Sequence, residues 1–303
     1  MIEDILSKIK STTKDLYINY TYKKIIKDSK KIRYDQKTQN KELEDKKDLL
    51  LNAGALEIKN YTLDQKYFDY FNEIYVNNLT EISKDFPNYN YPLIFDKNTI
   101  VEKILLDLDL NYLIKSYLGN DARLDIISFS CTRSNSLNKI VSEKWHYDNV
   151  GNRLKLFFFL NSNMEISTDY ITSSNKIFHK FYSTSGSRVS LEKVNKLKNN
   201  IVKFYPEKGN LLLFDTNGYH KGNYSENLNK LNGKSNQSRL MIKFEFSSKL
   251  KSEKFYDKSD IIGPRSTFFS NEFNINDCEL IDKSCLSKVG QIFFYDKRYI
   301  LNR

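Results

Sequence analysis

The chain has 303 residues, a net charge of +10, and hydrophobic and aromatic fractions of 40% and 14%. This apolar content is enough for a substantial core, which excludes global disorder. No apolar run approaches the roughly 18 residues that a membrane span requires, and the N-terminus lacks the unbroken apolar stretch of a signal peptide. We therefore expect a soluble, cytoplasmic protein with one structural domain and no membrane partner.

The cysteines and lysines argue against two further classes of protein. Cys131, Cys278 and Cys285 are an odd number of widely spaced cysteines, so they predict reduced thiols and neither a disulfide framework nor a zinc site. Lysines are interleaved with acidic residues along the chain, as in 41–48, and form no basic stripe of the kind that binding along a phosphate backbone requires. We therefore expect no nucleic-acid partner.

The first part of the chain is predicted to be mainly helical. Apolar residues recur at helical spacing in three of its segments: 2–9, 16–25 and 63–79. Residues 27–48 are nearly all polar and predict an exposed helix or loop. Pro87 and Pro92 mark a passage rich in turns. One further helix is predicted over 100–118, ending near Gly119.

From about residue 122 the pattern changes to short segments rich in β-branched and aromatic residues, separated by Asn, Ser and Gly. These segments are LDIISFS (124–130), RLKLFFFL (153–160), KIFHKFYS (176–183), NIVKFYP (200–206), NLLLFDT (210–216) and RLMIKFEFS (239–247). Short strands at this spacing predict a β-sandwich or barrel. Without a βαβ rhythm or a Gly-rich phosphate loop, a nucleotide-binding α/β fold is not expected. A polar, irregular tail follows residue 250, with a last apolar piece at 292–295.

Two of the three histidines suggest a metal site. His146 and Asp148 are two positions apart, so on extended backbone their side chains point to the same side. His220 follows the predicted strand 210–216. Two imidazoles and one carboxylate can occupy one face of an octahedron, which leaves three positions open, as in non-haem Fe(II) oxygenases. Arg239 opens the last predicted strand, where a guanidinium can clamp a carboxylate in bidentate fashion.

The order of these motifs resembles the phytanoyl-CoA dioxygenase family. The resemblance covers about residues 125–248 and rests on W-H-Y-D, R-L-K-L-F-F-F-L-N, G-N-L-L-L-F-D-T-N-G-Y-H-K-G and S-R-L-M-I-K-F-E-F. It implies an α+β protein with a mainly β core, a double-stranded β-helix of the jelly-roll or cupin type with N-terminal helices packed around it. The expected organisation is a helical region over 1–95, a catalytic core over 96–250 and an extension over 251–303.

The resemblance also implies an activity and a set of site residues. Family members are Fe(II)/2-oxoglutarate-dependent oxygenases, whose iron ligands match His146, Asp148 and His220. The arginine that binds the distal carboxylate of 2-oxoglutarate matches Arg239. With O2, such enzymes hydroxylate or otherwise oxidise an unactivated C–H bond of a small molecule and release succinate and CO2. Related halogenating enzymes have a small residue in place of the carboxylate, so Asp148 favours hydroxylation.

Several residues keep two interpretations. Lys155 either helps to hold the carboxylate of the cosubstrate or is an outward-facing strand lysine. His179 is either a packed or surface histidine or lines the substrate side. Trp145 and Tyr147 are expected in the core or beside the ligands, and Asp215 in a turn at a strand end.

Two alternative functions stay open. One is a β-barrel metalloenzyme that does not use 2-oxoglutarate and in which Arg239 forms a salt bridge. The other is a non-enzymatic basic module that binds its ligand through the positive charge of the chain.

Overall fold

The structure is a computed structural model that describes residues 13, 20, 38–77, 88–91, 94–95, 100–120, 122–133, 144–148, 153–177, 188–223, 238–248, 267–269 and 292–294. The helices are α1 (Lys41–Ala53), α2 (Lys66–Asn77), α3 (Ile100–Leu106), α4 (Leu108–Leu118) and α5 (Leu191–Lys196). The strands are β1 (Ala55–Ile58), β2 (Asn88–Tyr91), β3 (Ile94–Phe95), β4 (Ala122–Arg133), β5 (Arg153–Phe159), β6 (Ser167–Ile171), β7 (Ile201–Phe204), β8 (Leu211–Asp215), β9 (His220–Asn223), β10 (Ser238–Ser248), β11 (Thr267–Phe269) and β12 (Ile292–Phe294).

Capping residues set the ends of helices α1 and α4. The Asn40 side chain accepts a hydrogen bond from Leu43 N at the start of α1, and Gly54 ends that helix at a φ of 81°. The predicted single helix over 100–118 is wrong, because the chain forms α3 and α4 with a break at Asp107. The Asp107 carboxylate accepts a hydrogen bond from Leu110 N at 2.9 Å, so it caps a new helix and ends the previous one.

The largest sheet is antiparallel and has the strand order β1-β8-β5-β10-β4-β2. The predictions of strands at 124–130, 153–160, 210–216 and 239–247 are confirmed by β4, β5, β8 and β10. The passage predicted to be rich in turns instead contains β2, which pairs with the edge of the sheet at β4.

A smaller antiparallel sheet has the order β7-β6-β9. His146 joins its edge through a backbone bridge to His220, and it also bridges to Arg188. The prediction of a strand at 200–206 is confirmed by β7, whereas β6 and β9 were not predicted. The strand predicted from residue 176 does not begin there, because Lys176 lies in a single 3₁₀ turn. Strands β12, β11 and β3 form a third, parallel sheet.

The two faces of the largest sheet have different partners. On one face the alternating residues of β10, Leu240, Ile242, Phe244 and Phe246, pack with apolar side chains of α1–α4. On the other face, strand residues meet Tyr170 of the smaller sheet in a second cluster. Full burial of one such side chain contributes about 1.5–3 kcal/mol. The apolar residues of this second cluster are Ala55, Phe157, Phe159, Tyr170, Leu212, Phe214 and Met241. We call the space between the two sheets the interior.

The N-terminal region is joined to the core through the largest sheet. Strand β1 pairs with β8 from Ala55 opposite Phe214 to Ile58 opposite Leu211. The domain boundaries at 95 and 250 stay predictions. Cys131 is a buried free thiol, whereas Cys278 and Cys285 lie outside the described residues. Within the described ranges, no helix has both the length and the apolar character needed to cross a bilayer.

Candidate metal centre

Three side chains predicted to bind a metal converge at one edge of the smaller sheet. His146 and His220 lie opposite each other and exchange backbone hydrogen bonds of 3.0 and 2.8 Å. Asp148 is fixed by the hydrogen bond from its N–H to Thr216 O, at 2.8 Å. Asp148 Oδ1 lies 3.9 Å from His146 Nε2 and 3.8 Å from His220 Nε2. All three ligand atoms lie within 4.8 Å of one another, so small side-chain rotations bring them onto one cation.

Backbone carbonyl groups select the tautomer of both histidines. Lys144 O lies 2.8 Å from Nδ1 of His146, and Gly218 O lies 2.9 Å from Nδ1 of His220. Because a carbonyl only accepts hydrogen bonds, each Nδ1 carries the proton, and each Nε2 keeps its lone pair for a metal. Gly218 is required here, since a Cβ at this position would overlap the ring of Tyr170.

The interior also sets the protonation state of the three groups. Burial lowers the pKa of His146 and, together with the neighbouring His146, lowers that of His220 to about 3. Burial alone would raise the pKa of Asp148, but the Lys155 ammonium, followed by His220 and Arg153, holds it well below its ordinary value. Two neutral imidazoles and an ionised carboxylate are the forms that bind a metal.

We expect the metal-free protein to lose stability as the pH falls from 6.5 towards 3. Unfolded histidine titrates near 6.5, whereas His220 in the folded protein titrates at about 3. The unfolded state therefore binds more protons in this window, and acidification favours unfolding by up to about 1.4 kcal/mol per pH unit. Urea unfolding of the wild type and His220→Asn at several pH values measures the slope. If the free energy of unfolding changed with pH by the same amount in both proteins, this expectation would be contradicted.

A cluster of charged side chains lies beside Asp148 on the interior face of β5 and β10. Lys155 Nζ lies 2.6 Å from Asp148 Oδ2 and 3.8 Å from Glu245 Oε1. Arg153 also contacts the Glu245 carboxylate, and Lys243 Nζ lies 3.8 Å from it. The interpretation of Lys155 as an outward-facing lysine is wrong. Strand alternation places it on the same face as Phe157, and its side chain is only 15% exposed. Its contact with the cosubstrate stays a prediction.

Arg239 lies in the interior and reaches the smaller sheet. It is 3% exposed, and its Nη1 donates a hydrogen bond to Thr168 Oγ1 at 3.1 Å. Thr168 is two positions before Tyr170, the register partner of His220. Side chains two residues apart on a strand lie on the same face of the sheet. The Arg239 guanidinium therefore contacts β6 two residues before the position opposite His220. Its contact with a dicarboxylate stays a prediction.

The remaining sequence candidates divide into confirmed packing residues and one outside the described part of the chain. Trp145 packs in a cluster with Ile171 and Tyr219, which confirms its expected place in the core, and the partly buried Tyr147 packs against this cluster. His179 lies outside the described residues. Sequence reasoning missed Thr168 and Glu245. Only the alternation of β10 carried a signal for Glu245, since it places this residue on the Met241 side, away from the helices.

Asp215 forms the turn before His220, as predicted. Its Oδ1 accepts hydrogen bonds from Asn217 N at 2.8 Å and from Asn217 Nδ2 at 2.9 Å. Its Oδ2 accepts one from the Tyr117 hydroxyl. We expect Asp215→Ala to lower the free energy of unfolding by about 3 kcal/mol, because buried donors to a charged group lose their acceptor. Urea denaturation measures the change, with the exposed Asp109→Ala as control. A loss equal to that of the control would contradict this role.

Comparisons with known proteins support the fold. No family model matches the sequence, and no curated protein matches it. The structure is similar to EctD from S. alaskensis with bound 2-oxoglutarate and 5-hydroxyectoine, with 13% identity, a TM-score of 0.51, and coverage of 72% of this chain and 80% of EctD.

Two further solved structures are similar at lower TM-scores. HygX from Streptomyces hygroscopicus with nickel and 2-oxoglutarate is 14% identical and has a TM-score of 0.46. The match covers 86% of HygX and 68% of this chain. The epimerase SnoN with Fe3+, alpha ketoglutarate and nogalamycin RO is 10% identical and has a TM-score of 0.48. The match covers 84% of SnoN and 68% of this chain. The likeness to EctD therefore shows a shared fold of helices and antiparallel sheets.

Proposed function

We propose that this chain is an Fe(II)/2-oxoglutarate-dependent dioxygenase that hydroxylates an unactivated C–H bond of a small molecule. The observation that carries the proposal is the convergence of His146, Asp148 and His220, with their ligand atoms within 4.8 Å of one another. Two imidazoles and one carboxylate are the donor set of non-haem Fe(II) oxygenases. The resemblance of the sequence motifs to the phytanoyl-CoA dioxygenase family supports the same assignment.

The strand order supports a double-stranded β-helix as the core. Successive segments of the chain alternate between the two antiparallel sheets: β4 and β5 lie in the largest sheet, with His146 bridged to the smaller sheet between them. After β6 and β7 of the smaller sheet, β8, β9 and β10 alternate again. Alternation of the chain between two opposed antiparallel sheets is the connectivity expected of a jelly roll.

The donor set fits ferrous iron, which His146, Asp148 and His220 would hold. When bound with 2-oxoglutarate and O2, iron supplies the oxidative chemistry that releases succinate and CO2 and transfers oxygen to a C–H bond. The protein orients the ligands through the carbonyl groups of Lys144 and Gly218. Asp148 supplies a protein carboxylate where halogenating relatives have a small residue, which favours hydroxylation.

Arg239 is the residue we assign to the distal carboxylate of 2-oxoglutarate. A guanidinium carries a permanent charge and a planar pair of donors, so it binds a carboxylate through two hydrogen bonds. The apolar side chains of Phe157, Phe159 and Phe214 border the interior and exclude water from it. The 161–200 passage is proposed to cover the substrate, whereas the described helices α1–α4 pack on the opposite face of the largest sheet.

An anaerobic titration tests the proposal. We expect Fe(II) and 2-oxoglutarate together to give a weak visible charge-transfer band that neither gives alone, and O2 to start succinate release. A protein that binds Fe(II) without this band would be the metalloprotein of the alternative hypothesis. A protein that binds no divalent metal would exclude both, and steeply salt-dependent binding to DNA or RNA would then favour a basic binding module.

A further inference from the structure

The two oxygen atoms of the Asp148 carboxylate have different environments. Oδ1 faces the two histidine nitrogens, at 3.9 and 3.8 Å. Oδ2 lies 2.6 Å from Lys155 Nζ. A short contact between an ammonium and a carboxylate oxygen is a strong, charge-assisted hydrogen bond. Lys155 therefore donates to Oδ2, and Oδ1 is the oxygen that lies near the two histidine nitrogens.

The position of Lys155 is itself restrained by the sheet. Its strand lies between β8 and β10, so its backbone is paired on both sides: Lys155 is opposite Phe214 and opposite Glu245. Glu245 Oε1 lies 3.8 Å from Nζ, and the Glu245 side chain is only 6% exposed. Arg153 and Lys243 hold the Glu245 carboxylate in turn. The ammonium thus has two anionic neighbours in a buried, ordered cluster.

We propose that Lys155 is a positioning residue that keeps Asp148 bound to the metal through one oxygen and favours the ferrous over the ferric state. The inference rests on the proposed function. A carboxylate that bound through both oxygens would take one of the positions that the cosubstrate needs. A positive charge on the outer oxygen also reduces the negative charge available to the metal, and this disfavours Fe(III) more than Fe(II) because Fe(III) carries the higher charge.

The test compares Lys155→Met, Lys155→Gln and Lys155→Arg with the wild type. Lys243→Met is the matched control, because Lys243 has the same 15% side-chain exposure and the same 3.8 Å distance to Glu245 Oε1. Lys243 Nζ lies 3.8 Å from the Glu245 carboxylate, and Lys155 Nζ lies 2.6 Å from Asp148 Oδ2 in addition to its contact with Glu245. Circular dichroism establishes that each variant is folded, and Lys155→Gln, which keeps an N–H donor without the charge, substitutes for Lys155→Met if that variant does not fold.

The readouts are the Fe(III)/Fe(II) midpoint potential and the anaerobic charge-transfer band with 2-oxoglutarate. We expect Lys155→Met to bind Fe(II) but to lose most of the charge-transfer band. We also expect this variant to favour Fe(III) about tenfold more than the wild type does, which lowers the midpoint potential by about 59 mV for one electron. Lys155→Arg is expected to restore both readouts towards the wild type, and Lys243→Met to leave both close to it.

Each result has a distinct meaning. If the wild type gives the band and Lys155→Met keeps both the band and the potential, this inference is overturned and the proposed function stands. Equal changes in Lys155→Met and Lys243→Met would also overturn it, because the effect would then come from the charge around Glu245. A wild type that binds Fe(II) but gives no band would overturn the proposed function and, with it, this inference.

Discussion

Asp148→Ala is expected to lower 2-oxoglutarate-dependent succinate release by at least about 100-fold, because it removes the only anionic member of the ligand set. Two neutral imidazoles alone hold a divalent cation weakly. The variant should stay folded, since Lys155 keeps Glu245 as a second anionic neighbour, 3.8 Å away. Succinate release under saturating Fe(II) and calorimetric titration with Fe(II) or a substitute divalent metal measure the two effects.

Asp169→Asn is the matched control for this prediction. Asp169 is an aspartate of the same smaller sheet, and it is 1% exposed. Its carboxylate accepts hydrogen bonds from Ser167 Oγ at 2.6 Å and from Asn223 Nδ2 at 3.1 Å and lies 3.7 Å from Lys221 Nζ, so none of these partners is a proposed metal ligand. The control should keep metal binding. An Asp148→Ala variant with full succinate production would refute the assignment of Asp148 as a ligand.

Arg239→Met is expected to raise the KM for 2-oxoglutarate by about 10–150-fold while leaving Fe(II) affinity close to that of the wild type. The range corresponds to about 1.5–3 kcal/mol for hydrogen bonds to a charged group. Arg239 is separate from the ligands: its Nη1 donates to Thr168 Oγ1 at 3.1 Å, on the strand that pairs with His220. Steady-state kinetics with varied 2-oxoglutarate and an anaerobic Fe(II) titration separate the two constants.

Thr168→Val distinguishes cosubstrate binding from a structural role of Arg239. This variant removes the hydroxyl acceptor and leaves the guanidinium in place. We expect only a small rise in KM, because the charge that binds the carboxylate is retained. If Thr168→Val raised the KM as much as Arg239→Met, the effect would come from the contact between the sheets, and the assignment of Arg239 to the cosubstrate would be wrong.

The apolar strands β4, β5, β8 and β10 were predictable, whereas β1, within the region predicted to be helical, and the polar strand β6 were not. Strand β10 was predicted from its alternation, and Leu240 and Phe246 lie on the face that packs against the helices. Strand β6 contains Ser167, Thr168 and Asp169, which are polar yet almost fully buried. Ser167 donates to Asp169 of the same strand, Asp169 accepts from Asn223 of the neighbouring strand, and Thr168 accepts from Arg239 across the interior. A local pattern of polarity cannot anticipate partners on other strands.

The sequence by itself determined which residue types were available for chemistry. The short spacing of His146 and Asp148, together with His220 after an apolar strand, predicted a shared metal site before any fold was known. The identity of these residues carries this information, because two imidazoles and a carboxylate have intrinsic metal-binding chemistry whatever surrounds them.

Only the tertiary structure decided which groups orient and charge that site. The carbonyl groups that select the histidine tautomers belong to the backbone of Lys144 and Gly218, and every residue carries such a group, so the sequence does not reveal this role. The pairing of Lys155 with Asp148 requires β5 to lie beside the segment 144–148, which is bridged to β9 at His220. These partners are only two to seven residues apart in sequence, but hydrogen bonds and ion pairs act over a few ångströms and need backbone conformations that the two sheets fix, so the fold must form before they exist.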